Sequence, residues 1–349
     1  MYLYKEIDID EFIEKKDKFC VIDVRSESEF NEDHILGAIN VPILNDEERK
    51  LIGTLYKEKG VKVAKAMARQ VTMPKMLEKL NIIYSIIDNN KKLPLIYCAR
   101  GGDRSGIMAT FLAMENTYVF KLKGGYKAYR GHVLNYFNNI FNKEIKVFYG
   151  LTGTGKTEVL LELKKNGLPV IDLEGLANNR GSVFGHIGLG IQPSQKKFDT
   201  DLYNALNCIK EDYIIVEGES KKIGRLYIPE QFYDKMICGD AYLIECSLEL
   251  RIKRIIDEYG GYLQENNEEI VRSIGVLKAQ IGTEKTTELI NQFNSGKLDE
   301  LVKYLLVNYY DILYEKNRKS KKGYIARYSA DNVVECGKKI GRASCRERV

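Results

Sequence analysis

Ile145-Lys-Val-Phe-Tyr149 runs without a break into Gly150-Leu-Thr-Gly153-Thr-Gly155-Lys156-Thr157, and Glu158 to Lys165 continues with helix-like spacing of apolar residues. An apolar run with β-branched members, then glycines, then an amphipathic stretch predicts a buried strand feeding a loop that opens a helix. Gly150, Gly155, Lys156 and Thr157 complete the pattern G-x-x-x-x-G-K-[ST] in the context it requires. The glycines, Gly153 included, let backbone N–H groups turn inward around an anion, and the helix start adds positive dipole. Lys156 can reach terminal phosphates and Thr157 can hold Mg²⁺. Such a phosphate loop reports polyphosphate geometry rather than a base or a leaving group, so ATP is not implied.

Downstream, Pro169 to Leu173, Tyr213 to Glu217 and Ala241 to Cys246 read as further strands, and the remainder to about Tyr314 reads as mainly helical. Ile214-Ile-Val-Glu-Gly-Glu219 takes the place of a Walker B strand but ends in glutamates. Glu217 or Glu219 is therefore the candidate to position Mg²⁺ or act as a base, against the plainer reading of an exposed strand-end carboxylate. In Asp172-Leu-Glu-Gly-Leu-Ala-Asn-Asn-Arg-Gly-Ser-Val-Phe-Gly185, Arg180 suits a second phosphate contact through its planar, always charged fork.

Upstream, Phe19 to Val24 and Leu93 to Cys98 are short buried-strand patterns. Ile9 to Lys16, Arg49 to Ala68, Met73 to Asn89 and Ser105 to Glu115 are helical patterns. Alternation of strand and helix predicts an α/β domain over residues 1–140 and a second over 141–335, with the boundary in the polar stretch Phe137 to Lys143. Residues 340–349 break from the Lys-rich, Tyr-rich style before them and read as a non-native tail.

Cys98-Ala-Arg-Gly-Gly-Asp-Arg-Ser105 leaves the second strand and leads into a helix, which places a thiol at the bottom of a loop of N–H donors. Those donors, the helix start, Arg100 and Arg104 would favour the nucleophilic thiolate; the alternative is a buried structural cysteine. Cysteine phosphatases use the same five-residue gap between Cys and Arg. They commonly have His before the nucleophile, whereas Tyr97 stands here, and Asp103 inside the loop would repel a dianionic phosphoester.

Bulk properties bound the rest. The chain has 349 residues, 44% hydrophobic and 30% charged, enough for two globular domains. The formal charge of +5 falls to about +3 without Gly341 to Val349. An RNA partner would have to be met by local clusters such as Lys316 to Lys322, a run that also reads as an ordinary solvated face. Seven cysteines without a C-x-x-C pair, and three histidines, give no metal-ligand spacing. Cys20, Cys208, Cys238, Cys246 and Cys336 read as small buried apolar side chains. No apolar run reaches a membrane span and no signal peptide opens the chain, so the cytoplasm is the expected location.

Cys20-Val-Ile-Asp-Val-Arg-Ser-Glu-Ser-Glu-Phe30 and His34-Ile-Leu-Gly-Ala-Ile-Asn-Val-Pro42 resemble the opening of rhodanese domains, in which Asp23, Arg25 and His34 would be scaffold. Asn45-Asp-Glu-Glu-Arg49, Gly53-Thr-Leu-Tyr56, Tyr97-Cys-Ala-Arg-Gly-Gly102 and Lys123-Gly-Gly-Tyr126 are similar to the tRNA 2-selenouridine synthases. So are Asp172-Leu-Glu-Gly, Arg180-Gly-Ser-Val-Phe-Gly185 and Glu217-Gly-Glu-Ser-Lys-Lys-Ile-Gly224. The family usually has Trp where Ala99 stands. The resemblance implies a rhodanese-like parallel-sheet domain followed by a P-loop NTPase-like α/β domain with a helical C-terminal part. It also implies a tRNA-modifying transferase: geranyl diphosphate alkylates the wobble 2-thiouridine, and selenium from selenophosphate then replaces the S-geranyl group, with Cys98 as the chalcogen carrier. The competing classes are a cysteine phosphatase or sulfurtransferase fused to a nucleotide-binding domain, and a non-catalytic regulatory module. Oligomeric state is left open.

Overall fold

The structure, a computed structural model, describes residues 4–262, 266–317 and 323–346. The chain divides into two compact units, Met1–Tyr136 and Phe137–Val349. In the first, β1 (Lys5–Ile7), β2 (Phe19–Asp23), β3 (Ile39–Asn40), β4 (Leu93–Tyr97) and β5 (Phe120–Leu122) form a parallel sheet in the order β1-β5-β4-β2-β3. Every residue of β2 is buried, as is β4 from Pro94 onward, which is why these strands read as unbroken apolar runs rather than alternating ones. Ile22, Ile83, Ile96, Met108 and Leu112 join in one core. Parallel pairing puts the C-terminal ends of all five strands on one edge, and Cys98 follows β4 there.

Two helices, Asp46–Glu58 and Gly60–Thr72, stand where one was expected over Arg49 to Ala68. The first starts early because Asn45 caps it, its side chain accepting the Glu48 N–H while the Glu48 carboxylate accepts the Asn45 N–H. The second buries only Ala64 and Thr72 and is otherwise largely open to solvent.

In the second unit, β6 (Glu144–Tyr149), β7 (Val170–Ile171), β8 (Tyr213–Glu217), β11 (Asp240–Glu245) and β12 (Ala326–Ser329) form a parallel sheet ordered β12-β11-β6-β8-β7, while β9 (Lys222–Ile223) and β10 (Leu226–Tyr227) pair as a small antiparallel ribbon. The helix Lys156–Lys165 packs on this sheet together with a last helix, Val333–Arg346, and Val159, Leu160, Cys336 and Ile340 share a core with Phe148. Ile340, the first residue of the stretch that reads as a tail, is a buried member of that core. Between β11 and β12 the chain is helical, with a separate core that includes Ile274, Leu289, Phe293, Leu301 and Leu305.

Cys20 and Cys336 are buried as expected, but Cys208 and Cys238 are exposed and Cys246 is half-buried. The exposed two are the last residues of the helices Gln195–Cys208 and Glu230–Cys238, where the chain leaves the core. The side chains of Lys316 to Lys322 lie outside the described residues. No helix among the described residues is long and apolar enough to cross a membrane.

Candidate active site

The cysteine loop is built by backbone contact. Tyr126 and Lys127 donate their N–H groups to the carbonyls of Cys98 and Ala99, both at 2.9 Å. Gly125 lies so close that a Cβ there would sit 2.1 Å from the Cys98 carbonyl oxygen, and its φ of +58° also favours glycine. Below the loop, Arg25 forms a fully buried pair with Asp23 at 2.7 Å, reaches the Asp33 carbonyl and stacks 4.1 Å over the Tyr126 ring. These are the scaffold contacts the rhodanese resemblance implied for Asp23 and Arg25. His34 stacks on Phe30 at 3.9 Å.

Cys98 is buried, and its Sγ lies 3.2 Å from the hydroxyl of Ser105, whose residue is itself fully buried. The same hydroxyl is 3.2 Å from the Gly102 carbonyl. One hydroxyl proton thus has two acceptors, the carbonyl when sulfur carries its own proton and the sulfur when it does not. Nothing in the local sequence marks Ser105 for this role; the turn of the helix Asp103–Met114 brings it back to the thiol.

Arg104, expected to face the thiol, is instead held by Glu29 through two hydrogen bonds of 2.6 and 3.2 Å. Asp103 pairs with Lys65 at 2.9 Å, so its charge is partly offset and the electrostatic case against a phosphoester is weaker than the sequence suggested. Arg100 stays exposed on the loop. Glu29 also meets Arg49 at 2.8 Å; burial alone would raise its carboxyl, but the Arg104 and Arg49 guanidiniums hold it down to about 2. A folded value below the ordinary 4.5 means stability that is present above that pH and is lost as pH falls from about 4.5 to 2. Glu29→Gln is therefore expected to lower the urea midpoint at pH 6, with the gap to wild type narrowing as the pH drops through 3. An equal gap at both pH values would show that the pairing is not its source.

The phosphate loop has the left-handed glycines its pattern requires, Gly153 at φ +78° and Gly155 at φ +82°. Lys156 folds over the loop and donates to the Gly150 carbonyl at 2.7 Å, and the Thr157 hydroxyl meets Glu174 at 3.3 Å. Two arginines on the helix Leu248–Gly260, neither singled out in the sequence, brace the loop from behind. Buried Arg251 donates to the Thr152 carbonyl at 2.9 Å while bound twice to Asp311, and Arg254 donates to Thr154 and Ala330 carbonyls.

A cavity of about 1020 Å³ opens from this loop. Its polar end holds Gly150, Gly153, Gly155, Lys156, Thr157, Glu174, Arg180 and Glu219. Its other wall is apolar, with Phe293, Leu298, Leu301, Leu305, Tyr309 and Tyr310 from the helical part. Arg180 reaches the cavity but is tied down, with Nε on Glu258, Nη1 on the Ile187 carbonyl at 2.9 Å and its guanidinium 5.2 Å over the Tyr259 ring. The two strand-end glutamates separate. Glu217 is buried outside the cavity lining and accepts the Glu174 N–H at 2.7 Å, with its second oxygen unpartnered among the described residues. Glu219 lines the cavity. Burial pushes Glu174, Glu217 and Glu219 up from the usual carboxylate range; repulsion from Glu219 and Glu217 adds to this for Glu174, and repulsion from Asp172 and then Glu219 for Glu217.

A family model described as the tRNA 2-selenouridine synthase AAA domain matches residues 143–342, and a rhodanese-like domain model matches residues 8–132. The tRNA 2-selenouridine synthase of Shewanella pealeana is 32% identical over 326 residues, covering 84% of this chain and 87% of that protein. The one from Nitrosomonas eutropha is 34% identical over 246 residues, 68% of this chain and 62% of that protein. A solved N-terminal domain of an ATP/GTP binding protein from Clostridium difficile 630 is 38% identical, covering 37% of this chain and 99% of that one at a TM-score of 0.35. Two domain models matched in this order along one chain, with a full-length relative above 30% identity, place the protein in the tRNA 2-selenouridine synthase family.

Proposed function

We propose that the protein converts the wobble 2-thiouridine of tRNA to 2-selenouridine in two stages, using geranyl diphosphate and then selenophosphate, in the cytoplasm. The observation that carries the first stage is the two-faced cavity. The chamber joins a phosphate loop to a wall of leucines and aromatic rings, and Asn178, Asn179 and Ser182 are also in its lining. That division suits a charged diphosphate with an oily tail, whose burial contributes about 0.8 kcal/mol per CH₂.

In this reading the loop N–H groups and Lys156 take the negative charge that grows on the departing diphosphate, and Arg180 offers a second cation beside it. Lys156 must leave the Gly150 carbonyl to do so. Thr157 and Glu174, whose side chains meet at 3.3 Å, would hold a Mg²⁺ ion, which would supply further neutralisation of the leaving group. The thiouridine sulfur attacks the geranyl carbon, so no protein nucleophile is required there. Cys98 serves the selenium stage.

The deciding experiment is mass analysis of nucleosides after incubating the protein with 2-thiouridine tRNA and geranyl diphosphate, with and without selenophosphate. S-geranyl nucleoside without selenophosphate and 2-selenouridine with it are expected; no geranylated product would sink the first stage. Arg180→Lys keeps the charge but loses the fork that holds the Ile187 carbonyl and Glu258. Its alkylation rate is expected to fall at least about tenfold, or ~1.4 kcal/mol of transition-state stabilisation. Wild-type kinetics in that variant would leave Arg180 a purely structural residue.

A further inference from the structure

Residues 59–136 carry fourteen Lys and Arg against four Asp and Glu, whereas residues 1–58 carry eight against fifteen. The fold gathers part of this excess around the buried thiol. The Lys65 to Asp103 ion pair places the helix Gly60–Thr72 beside the start of the helix that follows the cysteine loop. Lys62 and Arg69 lie three residues before and four after Lys65, so they share its face, and both are exposed. From another segment, the backbone bonds of Tyr126 and Lys127 to Cys98 and Ala99 bring exposed Lys123 and Lys127 to the loop. Exposed Arg100 is in the loop itself.

None of Lys62, Arg69, Arg100, Lys123 and Lys127 has a hydrogen-bonding or ion-pairing side-chain partner among the described residues. Like charges left unpaired on one rim repel each other, and a single small anion at the thiol is already served by the loop's own donors. A partner with phosphates at several points satisfies all of them together. We propose that this rim is the grip on the RNA backbone that delivers the wobble nucleoside to Cys98. The inference rests on the reading that tRNA is the substrate.

The test is equilibrium binding of labelled tRNA to the full chain across a salt series. Replacing Lys62, Arg69, Lys123 and Lys127 together by Gln is expected to weaken binding on the order of a hundredfold near physiological salt and to cut the slope of log K against log salt by about 3. Lys18→Gln with Lys92→Gln serves as control, because these cations precede β2 and β4 and so lie at the opposite edge of the sheet from the loop; slope and affinity should hold. An unchanged slope in the fourfold variant, or an equal loss in the control, overturns the proposal. The nucleoside assay separates the two readings. Product formed by wild type with no slope change in the variant removes the grip alone. The expected slope change with no modified nucleoside from wild type keeps the grip and removes the proposed reaction.

Discussion

Lys156→Ala is expected to lower kcat/KM for tRNA geranylation by about two to three orders of magnitude, the scale seen when one donor to a developing charge is removed. The remaining loop donors are neutral N–H groups, and Arg180 is already committed to Glu258, so nothing nearby replaces the lost point charge. Glu219, half-buried in the cavity lining and under the influence of that ammonium, would lose its counter-charge as well. Diphosphate binding measured by calorimetry should weaken in step, while the Cys98 unit, which contributes no residue to this cavity, should be unaffected. Alkylation at the wild-type rate with unchanged demand for geranyl diphosphate would remove the phosphate loop from the reaction.

Cys98→Ser should stall the protein halfway, giving tRNA that keeps its geranyl group and gains no selenium. A serine hydroxyl has nearly the same shape and can still meet Ser105, so folding and tRNA binding should survive. It is not ionised near neutral pH and cannot carry a chalcogen, whereas alkylation needs no protein thiol. Exposed Cys208→Ser is the matched control and should change neither stage. Selenouridine formed by Cys98→Ser at the normal rate would mean that selenium passes directly to the tRNA and that the loop only binds the anion.

What could be read from the amino acids was whatever local chemistry dictates. Strands buried on both faces announce themselves as apolar runs, and a phosphate loop needs glycines at set positions, so β2, β4 and the loop at Gly150 were visible at once, with β6 marked by the loop it feeds. Partners far apart in sequence were not. Glu29 lies 75 residues from Arg104, and no local pattern shows that it, rather than the thiol, would hold that guanidinium. Arg251 and Arg254 look like ordinary charges on an amphipathic helix until the Thr152 and Thr154 carbonyls appear beside them. Glu217 and Glu219 were indistinguishable because one residue of a turning chain decides which carboxylate is walled in and which faces the cavity. The apolar chamber wall was equally hidden, since its leucines carry no motif.

The edge strand β12 pairs in parallel with β11, Tyr242 opposite Ala326, and the whole helical part of the unit is threaded between the two. During synthesis, one edge of β11 and the residues of the phosphate-loop helix that pack on Cys336 and Ile340 therefore stay uncovered until β12 and the helix after it have left the ribosome, whereas every strand of the Cys98 unit has emerged long before. Parallel pairings closed over so long a stretch form slowly, and an unpaired strand edge invites other chains in the meantime. A ribosome stalled before Ala326 would release a chain with a finished cysteine loop beside an unfinished phosphate-loop unit, a species prone to aggregate and a ready target for chaperones and proteases.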